Sequence, residues 1–367
     1  MKKFVSLSDK APKKCHYNWK YFQFASLFNR NPWLINLIAI IFLSLFMLWT
    51  LFACEKQETE NLSTIRLAEV TRSVFYAPFY VTISEGYFEA EGLGIELLTT
   101  PGGDKTMTTL LSGGADIILV GAETSIYVAS QGAKDKVLNF AVLTETDGTF
   151  LVAREPIADF QWQQLVGSTF LGQRVGGMPQ MVSEYVLKQH HVDPHLDLNL
   201  IQNIDFANIP SAFASGTGDF VQLFEPTASL FEAEGNGYVV ASFGTESGAI
   251  PYTTFMAHES FMELNSEIIA AFTRALYRAQ QWVATQPATA VATSIADFFP
   301  DTSLEILTKS VERYQLQHAY ATTPLIDETM WEQLQTIMID ARQLTEPAPY
   351  EWLVDTVFAT EAITKER

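Results

Sequence analysis

The chain has 367 residues, with 23 Lys or Arg against 42 Asp or Glu and a formal charge of −19, which excludes nucleic acid as a partner because phosphate binding needs clustered cations. Cys15 and Cys54 are the two cysteines, so nothing beyond residue 54 can form a disulfide or a cysteine-based metal or redox site. Stability must come from buried core, for which 48% hydrophobic and 13% aromatic residues suffice.

Leu37 to Ala53 is an apolar run free of charge, close to the roughly 20 residues a helix needs to cross a bilayer. Lys2, Lys3, Lys10, Lys13, Lys14, Lys20 and Arg30 precede it against Asp9 alone, so the N-terminus stays cytoplasmic and the rest of the chain is exported. The run ends in Leu51-Phe52-Ala53-Cys54, which resembles the lipobox of bacterial lipoproteins and implies cleavage and acylation at Cys54. Phe52 and the long leader depart from that pattern, and the alternative is an uncleaved signal anchor. Either way the product is a domain tethered to the extracytoplasmic face of the cell membrane, with residues 1–54 as anchor and 55–63 as a polar linker.

Beyond the linker, Ile65 to Val70 and Ile95 to Thr99 read as strands, and Asp104 is placed to cap a helix bearing Met107, Leu110 and Leu111. Strands at Ile117 to Val120, Val137 to Leu143 and Phe150 to Ala153 then alternate with helices, which predicts an α/β fold with mostly parallel strands. A helix from about Pro179 to Gln189 and strands at Leu198 to Gln202, Phe220 to Leu223 and Tyr238 to Ser242 continue the series. After Thr254 the pattern changes to long amphipathic helices, a C-terminal helical segment.

One segment repeats. Leu111 to Gly132 lies over Ala214 to Gly235 at constant offset, with Ser112/Ser215, Gly113/Gly216, Asp116/Asp219, Thr124/Thr227 and Gly132/Gly235 identical. Two such units predict two similar lobes with a ligand cleft between them. The Gly-, Thr- and acid-rich interruptions at Thr144 to Phe150 and Gly244 to Tyr252 are the expected crossovers, making residues 64–147 and 250–367 one lobe and 148–249 the other.

The segments VFYAPFYVTISEGYFEAEGL, LLSGGADIILVG, VGGMPQM, SGTGDFVQLFEPTAS and FTRALYRAQQWVATQP together resemble the solute-binding proteins of bacterial ABC importers. The group in question includes nitrate, sulfonate and taurine binders and the binders of thiamine-pyrimidine precursors. The resemblance implies a two-lobed periplasmic-binding-protein-like (type II) fold and a monomer that binds a small solute without catalysis or cofactor. It also implies delivery to a membrane permease and its ATPase. An aminopyrimidine is the expected solute; a sulfonate, taurine or nitrate, or a tethered sensing role, are the alternatives.

Candidate ligand contacts follow from the turns that would face the cleft. Gly177, Met178, Pro179 and Gln180 open a helix whose first N–H groups are free. Gly121, Glu123 and Thr124 form the corresponding turn of the first repeat and Glu225 belongs to that of the second, the two acids suiting an amino or cationic group. Both Thr124 and Thr227 could instead serve as helix caps. Thr71, Phe75 and Tyr76 follow the first strand, where aromatics can stack on a planar ligand, while Thr146, Asp147 and Tyr252 fall on the crossovers. His190, His191 and His195 cluster at a helix end without completing a metal-ligand framework, so no metal is expected.

Overall fold

Two five-stranded sheets carry the fold in the computed structural model, which describes residues 62–365 and Trp33. The apolar leader run, Cys54 and nearly all of the linker lie outside the described residues; among these, no helix is long and apolar enough to cross a membrane. The first sheet takes β1 (Ser63–Glu69), β2 (Leu93–Thr99), β3 (Ile117–Gly121) and β4 (Val137–Thr144). The second takes β5 (Thr149–Ala153), β6 (Thr169–Leu171), β7 (Asn199–Ile201), β8 (Phe220–Phe224) and β9 (Tyr238–Ser242), and β10 (Thr253–His258) returns to the first. Their orders are β2-β1-β3-β10-β4 and β7-β6-β8-β5-β9, with β10 and β5 the antiparallel members.

The chain therefore crosses between sheets after Thr144 and again after Ser242, the two-lobed type II α/β arrangement that the resemblance implies. The strand orders match member for member, and so do the anchoring contacts of the repeat. Asp116 accepts a hydrogen bond from the Arg66 backbone N at 2.9 Å, and Asp219 accepts one from the Thr169 backbone N at 2.8 Å. Each aspartate returns the exchange through its own N–H to the same residue's carbonyl.

Strand β3 shows why these sequences form central strands. Ile117 and Leu119 enter the main core while Ile118 and Val120 join a second cluster with Met107, Leu110 and Met256, so both faces are covered. Each such side chain contributes about 1.5–3 kcal/mol on burial.

The longer helices among the described residues are α1 (Ala77–Ser84), α2 (Gly103–Leu111), α3 (Glu123–Ser130), α4 (Met178–Gln189), α5 (Thr227–Glu234), α6 (Ser266–Thr285), α7 (Leu304–Leu316), α8 (Glu328–Asp340) and α9 (Val357–Lys365), of which α2, α3 and α4 line the cleft. Their starts correct three expectations. Gly102, not Asp104, is the N-cap of α2, and Asp104 sits within its first turn. Thr124 does not cap α3, because its hydroxyl donates to the Gly121 carbonyl at 2.8 Å, and α5 is capped by Pro226 rather than Thr227. Ser63, expected in the linker, already belongs to β1.

The C-terminal helices also divide their allegiance. Helix α6 packs on α1 and α9 in the first lobe. Helix α7 reaches from the Val74–Tyr76 turn of the first lobe to α5 of the second, and α8 from α3 to α4. Their starts are capped by Ser303, accepting from Ile306 N, and Asp327, accepting from Thr329 N. The C-terminal segment thus covers the first lobe through α6 and α9 and ties both lobes through α7 and α8.

Candidate functional site: the cleft between the lobes

Strand ends of both sheets and the starts of α2, α3 and α4 converge on a cleft of about 760 Å³. Val70, Met107, Val120 and Val128 form its wall on the first lobe, and Phe206 and Phe224 on the second. Thr124, Tyr127 and Val128 of α3 and Gln131, its C-cap, face it at helical spacing, one stripe of the helix. The cleft is spanned by a hydrogen bond from the Tyr127 hydroxyl to the Gly176 carbonyl at 3.0 Å. At its mouth Arg174 lies 3.7 Å from Asp104 of the first lobe and 3.3 Å from Asp205 of its own.

Glu123 is the buried charge-bearing group of this cleft, only 4% exposed. Its carboxyl folds back over Gly121, where an added Cβ would stand 2.7 Å from Oε1. It faces its own backbone N–H and that of Met178 at the start of α4, yet Oε2 has no hydrogen-bond partner. Burial pushes the acid up to about 8, against the pull of those two N–H groups. At neutral pH the group is therefore largely an undissociated acid in an unliganded site.

The neighbouring acids are arranged differently. Glu69, at the end of β1, is raised by burial although Tyr80 Oη at 2.6 Å, Thr99 Oγ1 at 2.7 Å and Arg72 Nε at 2.7 Å all donate to it. Arg72 is thereby turned toward Glu69 and the rings of Tyr80 and Phe298. Arg154 is likewise occupied, donating to the Gly218, Phe213 and Thr217 carbonyls.

Of the residues singled out from sequence, Thr71, Tyr76 and Tyr252 line the cleft, as do the Gly121, Glu123 and Thr124 turn and the Gly177, Met178 and Pro179 helix start. Five others do not. Glu225 is consumed by Arg313 Nη1 at 2.7 Å, Ser229 N and Oγ each at 2.9 Å, and Ser310 Oγ at 3.3 Å, which makes it a tie between α5 and α7. Phe75 is core, its ring 5.1 Å from Tyr314, 5.4 Å from Tyr252 and 5.8 Å from Phe224. Gln180 braces the turn from behind, accepting from Gly176 N at 2.9 Å and donating to Glu184 at 2.7 Å.

Thr146 and Asp147 are buried in the first crossover. Asp147 accepts from Thr149 N at 2.6 Å, and burial raises it to about 6. Sequence reasoning missed Tyr127 and Val128, although their spacing from Thr124 was a readable signal. Phe206, in a short turn after β7, offered none. The histidines point apart, with His190 Nε2 2.9 Å from Glu246 and His195 Nε2 3.0 Å from Glu184.

The chain belongs to the NMT1-like family, whose model matches residues 59–297. It is 57% identical over 324 residues to YtlA of Bacillus subtilis (strain 168), covering 88% of this chain and 96% of that protein. Solved structures share the fold at low identity. A ligand-binding component of an ABC-type import system from Staphylococcus aureus, with zinc bound, superposes with a TM-score of 0.68 at 14% identity, covering 82% of this chain and 99% of that one. The alkanesulfonate-binding protein SsuA from Xanthomonas axonopodis pv. citri, bound to MOPS, gives 0.64 at 14%, covering 80% and 98%.

Proposed function

We propose that this protein is the extracytoplasmic substrate-binding component of an ABC importer. In this reading it holds a small planar, nitrogen-bearing solute, an aminopyrimidine first among them, between its lobes and hands it to a permease driven by an ATPase. YtlA is named as a binding protein and the S. aureus structure as an import component, which supports the class. The single observation that carries the solute is Glu123, a buried carboxyl with an unpartnered oxygen in a cleft walled by apolar and aromatic side chains. Such a group rewards a ligand N–H and, once ionised, repels an anion. In this reading the protein acts without catalysis, as a monomer tethered by an acylated Cys54 after cleavage of the leader, the alternative being an uncleaved leader as anchor.

A sulfonate or nitrate is the second reading, favoured by the glycine-led start of α4. Against it, the Met178 N–H already faces Glu123 and Arg174 stands between Asp104 and Asp205.

Thermal melts with a panel of aminopyrimidines, taurine, other sulfonates and nitrate test the assignment. At a hundredfold excess over Kd a ligand adds about 2.7 kcal/mol to the folded state. A shift with aminopyrimidines that Glu123→Gln removes is the expected result; a shift with taurine that survives Glu123→Gln would transfer the assignment to the sulfonate class. Radiolabelled palmitate should enter the wild-type protein in cells and not a Cys54→Ala variant.

A further inference from the structure

The charge of the solute can be read from how the cleft treats Glu123, granted the reading above of the cleft as the solute site. The carboxyl is enclosed, and one oxygen has no partner at all. The groups that act on it are its own backbone N–H and the Met178 N–H of α4, and its charge is felt in turn by Tyr76 of the first lobe's 3-10 turn, Tyr127 on its own helix and Tyr252 from the second crossover. Burial raises all three tyrosines, so they stay neutral throughout the physiological range. No charged side chain of α2, α4 or α8 is among these groups. Farther out, the cleft carries Asp104, Lys105, Arg174 and Asp205, with Arg174 held between the two aspartates.

An anion entering here meets a buried carboxyl, with exposed Lys105 of α2 and the paired Arg174 as the cations of the cleft, and a neutral solute leaves the carboxyl's charge state unused. A cation gains the charge-assisted bond that the site withholds from every other class. Tyr76, Tyr252, Phe206 and Phe224 line the same space, and aromatic faces favour a flat, delocalised cation.

We propose that the cleft captures its solute as a planar monocation, an amidinium or aminopyrimidinium in kind, paired to the Glu123 carboxylate, and that capture releases the carboxyl proton to solvent. In balance, the Glu123 acid and the free cation give the carboxylate–cation pair and one hydrated proton; the O–H bond breaks, and nothing is oxidised or reduced. Affinity must then rise with pH while the free site is protonated and level off above its titration, at about pH 8.

Titration calorimetry of the full chain in detergent, with benzamidine, benzamide and benzenesulfonate as probes, tests this at pH 6, 7 and 9 in phosphate and Tris buffers of different ionisation heat. Benzamidine should bind with about one proton released per molecule at pH 6 and 7 and much less at pH 9, its affinity climbing about tenfold from pH 6 to 7. Glu123→Gln should lower that affinity about a hundredfold at pH 9 and flatten the pH dependence. The proton count in the wild-type protein needs no variant and stands even if Glu123→Gln folds poorly. Binding of benzamide or benzenesulfonate at least as tight as benzamidine, or benzamidine binding without proton release, overturns the cationic class while leaving the cleft as the solute site. Failure of all three probes, with aminopyrimidines also silent in the melts, overturns both.

Discussion

Glu123 and Glu225 occupy the same turn of two repeated lobes, each just past the strand that follows the shared aspartate, and they do opposite things. Glu123 has an oxygen without a partner and faces the cleft, while Glu225 is saturated by Arg313, Ser229 and Ser310. The repeat places them one position apart, Glu123 opposite Pro226 and Glu225 opposite Ala122, but that shift alone does not set their partners. What does is the layer of C-terminal helices laid over it. Helix α7 brings Arg313 and Ser310 against α5, whereas α8, packed on α3, contains no Lys or Arg in its sequence ETMWEQLQTIMID. Symmetry of sequence set two acids in similar turns, and an asymmetric third element made one a structural tie and left the other with an unpartnered oxygen in the cleft.

The largest effect that can break this contrast comes from Glu225→Gln. Removing one charge from a buried pair costs about 3 kcal/mol, at the low end of the usual range because Glu232, 2.5 Å from Arg313 Nη2, still compensates the guanidinium. Urea unfolding should show that loss, with ligand-induced stabilisation retained by whatever fraction remains folded. Arg313→Met together with Glu225→Met should recover most of it.

Glu123→Gln should act with the opposite sign. A carboxyl raised from 4.5 to about 8 keeps in the folded state a proton that the unfolded chain has lost. Stability therefore falls as pH climbs through that window and is flat above it. The neutral amide escapes this cost, so the unliganded variant should be more stable than wild type by a few kcal/mol at pH 8 and nearly equal to it at pH 4. Chemical denaturation at the two pH values measures the difference; destabilisation at pH 8 would mean the carboxyl is partnered in solution.

Tyr127→Phe tests the bond across the cleft. Its loss should cost about 1 kcal/mol and shift the unliganded protein toward larger dimensions in small-angle scattering, with little effect on the liganded form. The smallest effect sharpens the comparison from its symmetric side. Asp116→Asn and Asp219→Asn each weaken one backbone anchor at an exposed strand end, and each should cost about 1 kcal/mol or less by urea unfolding, despite the added Arg66 pair at Asp116.

Much of the architecture was legible because it is written in local pattern. Apolar runs such as Ile117 to Val120 can only be strands covered on both faces, and glycine-rich turns such as Gly176-Gly177 before Met178 mark helix starts that must point along the sheet. The helical spacing of Thr124, Tyr127, Val128 and Gln131 was equally local. Phe75 was not legible in this sense, since an aromatic after a strand suits a cleft or a core alike, and only Tyr314, from a helix far along the chain, decides for core.

Sequence alone thus determined eight of the ten described strands, all but β6 and β10, together with the two-lobed fold and the family, because each depends on residues near one another in the chain or on an internal repeat. Tertiary structure alone decided which acid is free, which arginines are already paired and which helices bridge the lobes. Those outcomes rest on contacts between segments such as Glu225 and Arg313, and a partner brought in by the packing of α7 leaves no trace in the periodicity of the turn it neutralises.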